Sequence, residues 1–222
     1  MHHYYNEFMK TIETENRNAL LNFILPKLKN NEIDIITLYT EILAPSLNSM
    51  VQNKTDKAFI WREHVRSSII RTIIENCYPY VIKERDESYK LNINKKIAVV
   101  CPSEEYHEIG ARMITDFFTL LGYNATFVGS NTPKEEFLEA LQNIKLDYIA
   151  ISVSNPYSLI AARKAIEKIR EADPKIKILV GGSAFKHKEH SHKEIGADMY
   201  LHSFEDIKKL AEEDGQWYYH LK

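Results

Sequence analysis

All seven glycines of this 222-residue chain lie at or after Gly110, and none precedes it. Glycine supplies the positive backbone angles and close approaches that repeated strand-to-helix turns require. The first half must therefore join its elements through polar connections, which suits helices. Only the second half has the residues to wind a sheet.

Hydrophobic spacing agrees with that division. Residues 34–51 place Ile35, Leu38, Ile42 and Leu43 at helical intervals, and residues 57–84 set Ile60, Val65, Ile69, Ile73 and Ile74 on one stripe. Two earlier helices, over 4–15 and 17–29, complete an expected four-helix bundle in a domain spanning 1–86. Pro26 and Pro45 are expected to kink or end their helices.

From residue 95 the rhythm changes. Short apolar runs at 96–101, 123–129, 146–154, 175–182 and 197–202 read as buried strands. Helical patterns lie between and after them, at 108–121, 133–143, 156–172, 187–195 and 204–213. This alternation predicts an α/β domain over 95–222, a doubly wound sheet of five parallel strands. The polar stretch 83–95 holds the linker, taken as 87–94.

Composition narrows the function. Lys and Arg total 29 against 31 Asp and Glu, with no basic stripe, so direct nucleic-acid binding is not expected. Cys77 and Cys101 form no CxxC pair, the start of the chain carries no apolar signal core, and no run approaches a membrane span. A soluble cytoplasmic protein is expected. No GxGxxG follows the first strand and no GxxxxGK[ST] occurs, which argues against dinucleotide and P-loop sites. A phospho-receiver would want an Asp at the end of the third strand, where this chain has Ser152.

In wound sheets ligands bind beyond the carboxyl ends of the strands. Three such loops carry unusual residues: Glu105-x-His107-x-x-Gly110, then Ser152-x-Ser154, then Gly181-Gly182. Residues 111–151 place 41 positions between the first and second motifs, and residues 155–180 place 26 between the second and third. Taken singly, each has a plain reading: a surface histidine, a strand-end serine capping a helix, a tight turn.

Together, at this spacing, the motifs resemble the signature of the B12 (cobalamin)-binding family, Asp-x-His-x-x-Gly, Ser-x-Leu, Gly-Gly. The resemblance covers roughly 95–213 and implies a flavodoxin-like domain preceded by a helical cap. It further implies that cobalamin binds base-off, its dimethylbenzimidazole tail leaving the cobalt, with His107 as the lower axial metal ligand. Glu105 would then fix the tautomer of His107. Gly110 would allow close approach of the corrin, Ser152 would donate to the tail's ring nitrogen, and Gly181 and Gly182 would leave room for the tail. The chain departs from the pattern twice: Glu105 replaces the aspartate, and Ser154 replaces the leucine.

Residues 58–81 resemble the helical cap of B12-dependent light sensors, where a Glu-His pair lies over the upper corrin face. Here that pair would be Glu63-His64, with Trp61 nearby as a further cofactor contact. The plain alternative is an amphipathic helix with a core Trp and a surface Glu-His. The sensors' capping Trp and the His beside it correspond to Asn53 and Lys54, so the resemblance stops short of their photochemistry. No counterpart of the sensors' DNA-binding winged helix is expected.

The resulting expectation is a stand-alone regulatory or sensor module, not itself an enzyme, acting through a protein partner, with a homo-oligomer as a further option. The rival is a corrinoid methyl carrier of a methyltransferase system, which needs cobalt in a nucleophilic state. Cobalamin storage or trafficking is a third reading. His187, His190 and His192 invite a metal reading, but a solvated helix face is the better one, since no second ligand cluster accompanies them.

Overall fold

In a computed structural model of the chain, residues 2–50, 58–186 and 191–219 are described. The chain divides into two compact units, Met1–Ser88 and Tyr89–Lys222.

The first unit is helical. Helices α1 (Tyr5–Glu13), α2 (Arg17–Lys29), α3 (35–50) and α4 (Phe59–Glu84) bury Phe8, Ile12, Leu20, Ile24, Ile35, Leu38, Ile42, Ile70 and Ile73. Side chains cap two of the helix starts. Asn16 accepts from Ala19 N–H at 3.0 Å, and Asp34 accepts from Thr37 N–H at 2.6 Å. Glu84, at the far end of α4, accepts from Ile35 N–H at 2.9 Å and ties α3 to α4.

Pro45 interrupts its helix rather than ending it. The preceding segment Leu38–Leu43 opens into a π turn in which Ala44 N–H reaches back to Tyr39 O, and this wide turn accommodates a residue with no N–H to give. Ile60 is not on the buried stripe but 69% exposed, because the first buried residue of α4 is Ile69.

The second unit is a five-stranded parallel sheet: β1 (Lys96–Pro102), β2 (Asn124–Thr132), β3 (Tyr148–Ser152), β4 (Lys177–Gly181) and β5 (Met199–Leu201), in the order β2-β1-β3-β4-β5. β1 is buried from Ile97 to Pro102, as a central strand covered on both faces must be. The connecting helices are α5 (Ile109–Leu120), α6 (Lys134–Asn143), α7 (Leu159–Ala172) and α8 (Ser191–Glu194), and α9 (Phe204–Tyr219) follows β5. Phe137, Ile149, Ile151, Ile166, Ile169 and Val180 share one core.

The amino end of the sheet is clasped by one residue of α9. The buried Asp214 carboxylate accepts from Tyr123 O–H at 2.7 Å, from Tyr148 O–H at 2.9 Å and from the Lys95 ammonium. Within the stretch read as linker, Ile93 is already bound into this unit: it is buried, and its N–H donates to Gly122 O at 3.0 Å.

Candidate functional site

The sheet brings the three loops to one edge. Val100 pairs with Ile151 and Ser152 pairs with Gly181, so the chain leaves β1, β3 and β4 at the same carboxyl end.

The first loop is held by the end of β2. Glu104 (φ 65°) and Asn131 (φ 52°) both adopt the left-handed conformation and brace one another. Glu104 N–H donates to Asn131 Oδ1 at 2.8 Å, and Asn131 N–H donates to Glu105 O at 3.0 Å. Ser103 Oγ donates to Thr132 O at 3.2 Å. Cys101 lies buried beneath the loop, where desolvation and the nearby Glu105 charge push its thiol up to about 12.

Glu105 is fully buried. Burial alone would raise its pKa. The His107 ring and the backbone N–H groups of Asn155, His107 and Ser154 reverse that and hold it below the ordinary carboxylate value. Oε1 lies 2.6 Å from His107 Nδ1 and 3.0 Å from His107 N, and Oε2 accepts from Ser154 N–H and Asn155 N–H, each at 2.8 Å. An ionised carboxylate only accepts, so Nδ1 carries a proton, and the ring's coordinating lone pair can only be that of Nε2. The His107 side chain is 64% exposed. It therefore presents a nitrogen donor on a ring fixed from behind, the arrangement of a metal-ligating histidine.

The other expected residues fall around it. A Cβ on Gly110, in the first turn of α5, would meet no neighbouring atom, so the space beside it is open. Ser152 ends β3 partly exposed. Ser154 gives its N–H to Glu105, and its carbonyl accepts from Ser183 Oγ at 3.0 Å. Gly181 and Gly182 have internal reasons for being glycine. A Cβ on Gly181 would lie 3.0 Å from Leu201 O, and one on Gly182 (φ +106°) would lie 2.2 Å from Val153 O.

Sequence reasoning missed three residues at this edge. Tyr106 on the first loop, Tyr157 on the second and Ile160 in the first turn of α7 are large, apolar and exposed. Tyr106 lies within the first motif and the other two follow the second, but no spacing rule marks an exposed apolar side chain. Also unforeseen was the second oxygen of Glu105 joining those two loops.

In the helical unit, Trp61 is exposed rather than part of the core. Glu63 accepts from Ser67 Oγ at 3.0 Å, and its other oxygen lies 3.8 Å from His64 Nε2, with His64 exposed. Asn53, Lys54, His187 and His190 lie outside the described residues. His192 stacks on Tyr200. Among the described residues no group of three His, Cys, Asp or Glu side chains could hold a metal ion, and no helix is long and apolar enough to cross a membrane.

Comparison with known proteins places this geometry. Residues 95–211 match the model of the B12 binding domain. The chain is 28% identical over 118 residues to a corrinoid protein of Desulfitobacterium hafniense, covering 52% of this chain and 54% of that protein. It is 23% identical over 178 residues to the HTH-type transcriptional repressor CarH of Myxococcus xanthus, covering 78% of this chain and 56% of the repressor. The chain thus spans about half the length of these curated relatives. The fold matches that of the monomethylamine corrinoid protein of Methanosarcina barkeri with a TM-score of 0.74 at 18% identity, over 94% of this chain and 97% of that one.

Proposed function

The chain belongs to the B12-binding domain family, and on that premise we propose that it binds a corrinoid base-off, with His107 Nε2 as the lower axial donor. The observation that carries this reading is the buried, ionised Glu105 fixing Nδ1 of an exposed imidazole. The residues at this edge fit the group in donor chemistry and in space. Bound there, a corrinoid supplies a cobalt centre that holds and exchanges an upper axial group. Glu105 sets the tautomer of His107 and makes Nε2 a stronger donor. Open space beside Gly110 admits the ring's edge, and Tyr106, Tyr157 and Ile160 offer apolar surface to the macrocycle. The Ser152 hydroxyl faces the task of satisfying the displaced tail base, with Ser154 lining its path and the side-chain-free Gly181 and Gly182 beside it.

The module works through a protein partner, in a regulatory or sensing role. Supporting this, the likeness to the repressor CarH extends over more of the chain than the B12-binding domain alone, and Glu63 and His64 stand together on α4 with exposed Trp61 one turn away. In this role Trp61, Glu63 and His64 are the residues through which the helical unit takes part in recognising the cofactor. A second reading, a corrinoid methyl carrier serving a methyltransferase, is favoured by the likeness to the Desulfitobacterium corrinoid protein. Reconstitution with adenosyl-, methyl- and hydroxocobalamin in the dark, with spectra before and after illumination, tests both. A light-dependent change in spectrum and oligomer size supports the sensor. A light-indifferent protein that a methyl-donor enzyme methylates supports the carrier, and no bound corrinoid contradicts both.

A further inference from the structure

The two edges of the sheet are built differently. β5 closes one with three residues, too few to template another strand, whereas β2 closes the other with nine. Exposed edges are ordinarily blunted by charge or proline, yet no charged side chain occurs between Asp116 and Lys134, and no proline before Pro133 in that run. Asn124 N–H donates to Lys95 O at 3.0 Å, which sets the phase of the strand. Alternate residues of a ladder bond to opposite sides, so Asn124 and Thr126 bond to β1 while Ala125 and Phe127 turn their N–H and C=O groups outward. Among the described residues no hydrogen bond outside the sheet reaches those outward groups. The regular stretch stops at Val128, 53% exposed, where the pairing skips from Val99–Phe127 to Val100–Gly129.

We infer that β2 is a dimerisation edge, through which two copies of the chain join antiparallel over residues 124–128 about a twofold axis at Thr126. The outward groups are self-complementary in that register. Ala125 of one copy faces Phe127 of the other, and the reverse, and each such pair exchanges both of its N–H···O=C bonds. Thr126 then stands opposite its own counterpart in a non-hydrogen-bonded pair, with Cα atoms about 4.5 Å apart. Asn124 comes beside Val128 of the second copy and covers part of that exposed side chain. Thr126, Phe127 and Val128 are all strand formers. The Arg112 guanidinium lies 4.7 Å from the Phe127 ring centroid and holds the strand against α5, so the edge is presented preformed. Lacking charge, the edge meets its own copy without repulsion, and it offers a foreign strand no charge by which to be selected. The contact belongs to the unloaded chain and does not require His107.

Sedimentation velocity of the unloaded full chain and three variants tests this. Wild type should dimerise within a concentration series reaching on the order of 100 μM. Ala125→Pro removes an outward N–H and costs the sheet no bond, since proline is tolerated where the N–H faces away from the ladder. It should stay monomeric across the series. Thr126→Lys sets two ammonium groups opposite one another and should weaken the dimer by about tenfold or more at low salt, with partial recovery at high salt. Thr126→Cys should give a disulfide-linked dimer under mild oxidation, because that Cα spacing can be bridged, and adding Ala125→Pro should abolish the link. Cys77 and Cys101 are buried and do not compete. A wild type that stays monomeric throughout overturns the inference. So does a dimer that Ala125→Pro and Thr126→Lys leave intact, since the copies then meet by another surface. If circular dichroism shows Ala125→Pro unfolded, Thr126→Lys and the Thr126→Cys link decide.

Discussion

Glu105 Oε1 and His107 Nδ1 stand 2.6 Å apart, the carboxylate wholly buried and the imidazole largely open to solvent. One residue is thus an immobile anion and the other a donor turned outward by it. Glu105→Gln replaces one acceptor oxygen with an amide nitrogen that can only donate, so the ring loses its fixed tautomer or the second loop loses its anchor. Affinity for hydroxocobalamin, measured by absorbance titration, should fall by about 10- to 100-fold.

The glycines of the site divide by cause. Gly182→Ala drives a Cβ into Val153 O at a positive φ and should lower stability by about 2–4 kcal/mol, read as a shifted urea midpoint. Gly110→Ala meets open space and should leave the unloaded protein within about 0.5 kcal/mol of wild type. Its cost should appear only as weaker corrinoid binding.

Asp214→Ala removes the acceptor shared by Tyr123, Tyr148 and Lys95. Three donors then lose their partner in a largely buried place, and stability should fall by about 3 kcal/mol. Lys95 and Tyr148 sit at the amino ends of β1 and β3, away from the ligand edge. Corrinoid affinity of the folded protein should therefore be unchanged, which denaturation and binding titrations on one preparation would establish.

Asp198 gives a pH dependence. Burial alone would raise its pKa, but Ile178 N–H and the Arg170 guanidinium, both 2.7 Å from Oδ2, hold it below the ordinary aspartate value. With the folded value depressed, its contribution is fully present above the unfolded value, about 3.9, and is lost as pH falls through the folded one. Asp198→Asn should cost about 1 kcal/mol at pH 7, and its melting temperature should converge on that of wild type below about pH 4.

Much of this was legible from residue spacing. The strand start at Lys96, the buried run Ile69–Ile73–Ile74 and the three motifs on one sheet edge all follow from periodicity and distance along the chain. What spacing cannot encode is lateral. The π turn before Pro45, the exposure of Ile60 and Trp61, and the second oxygen of Glu105 on Ser154 and Asn155 depend on which neighbour stands across a gap. Gly182 was read as room for a ligand, whereas its own backbone already requires glycine.

The most direct test of His107 as the cobalt ligand is electron paramagnetic resonance of the protein loaded with corrinoid in its Co(II) state, prepared once with ordinary histidine and once with 15N-histidine. A lower axial histidine gives a superhyperfine triplet that becomes a doublet on labelling, and His107→Ala abolishes the change. A triplet that persists in the labelled protein would mean that the tail base, not His107, holds the cobalt.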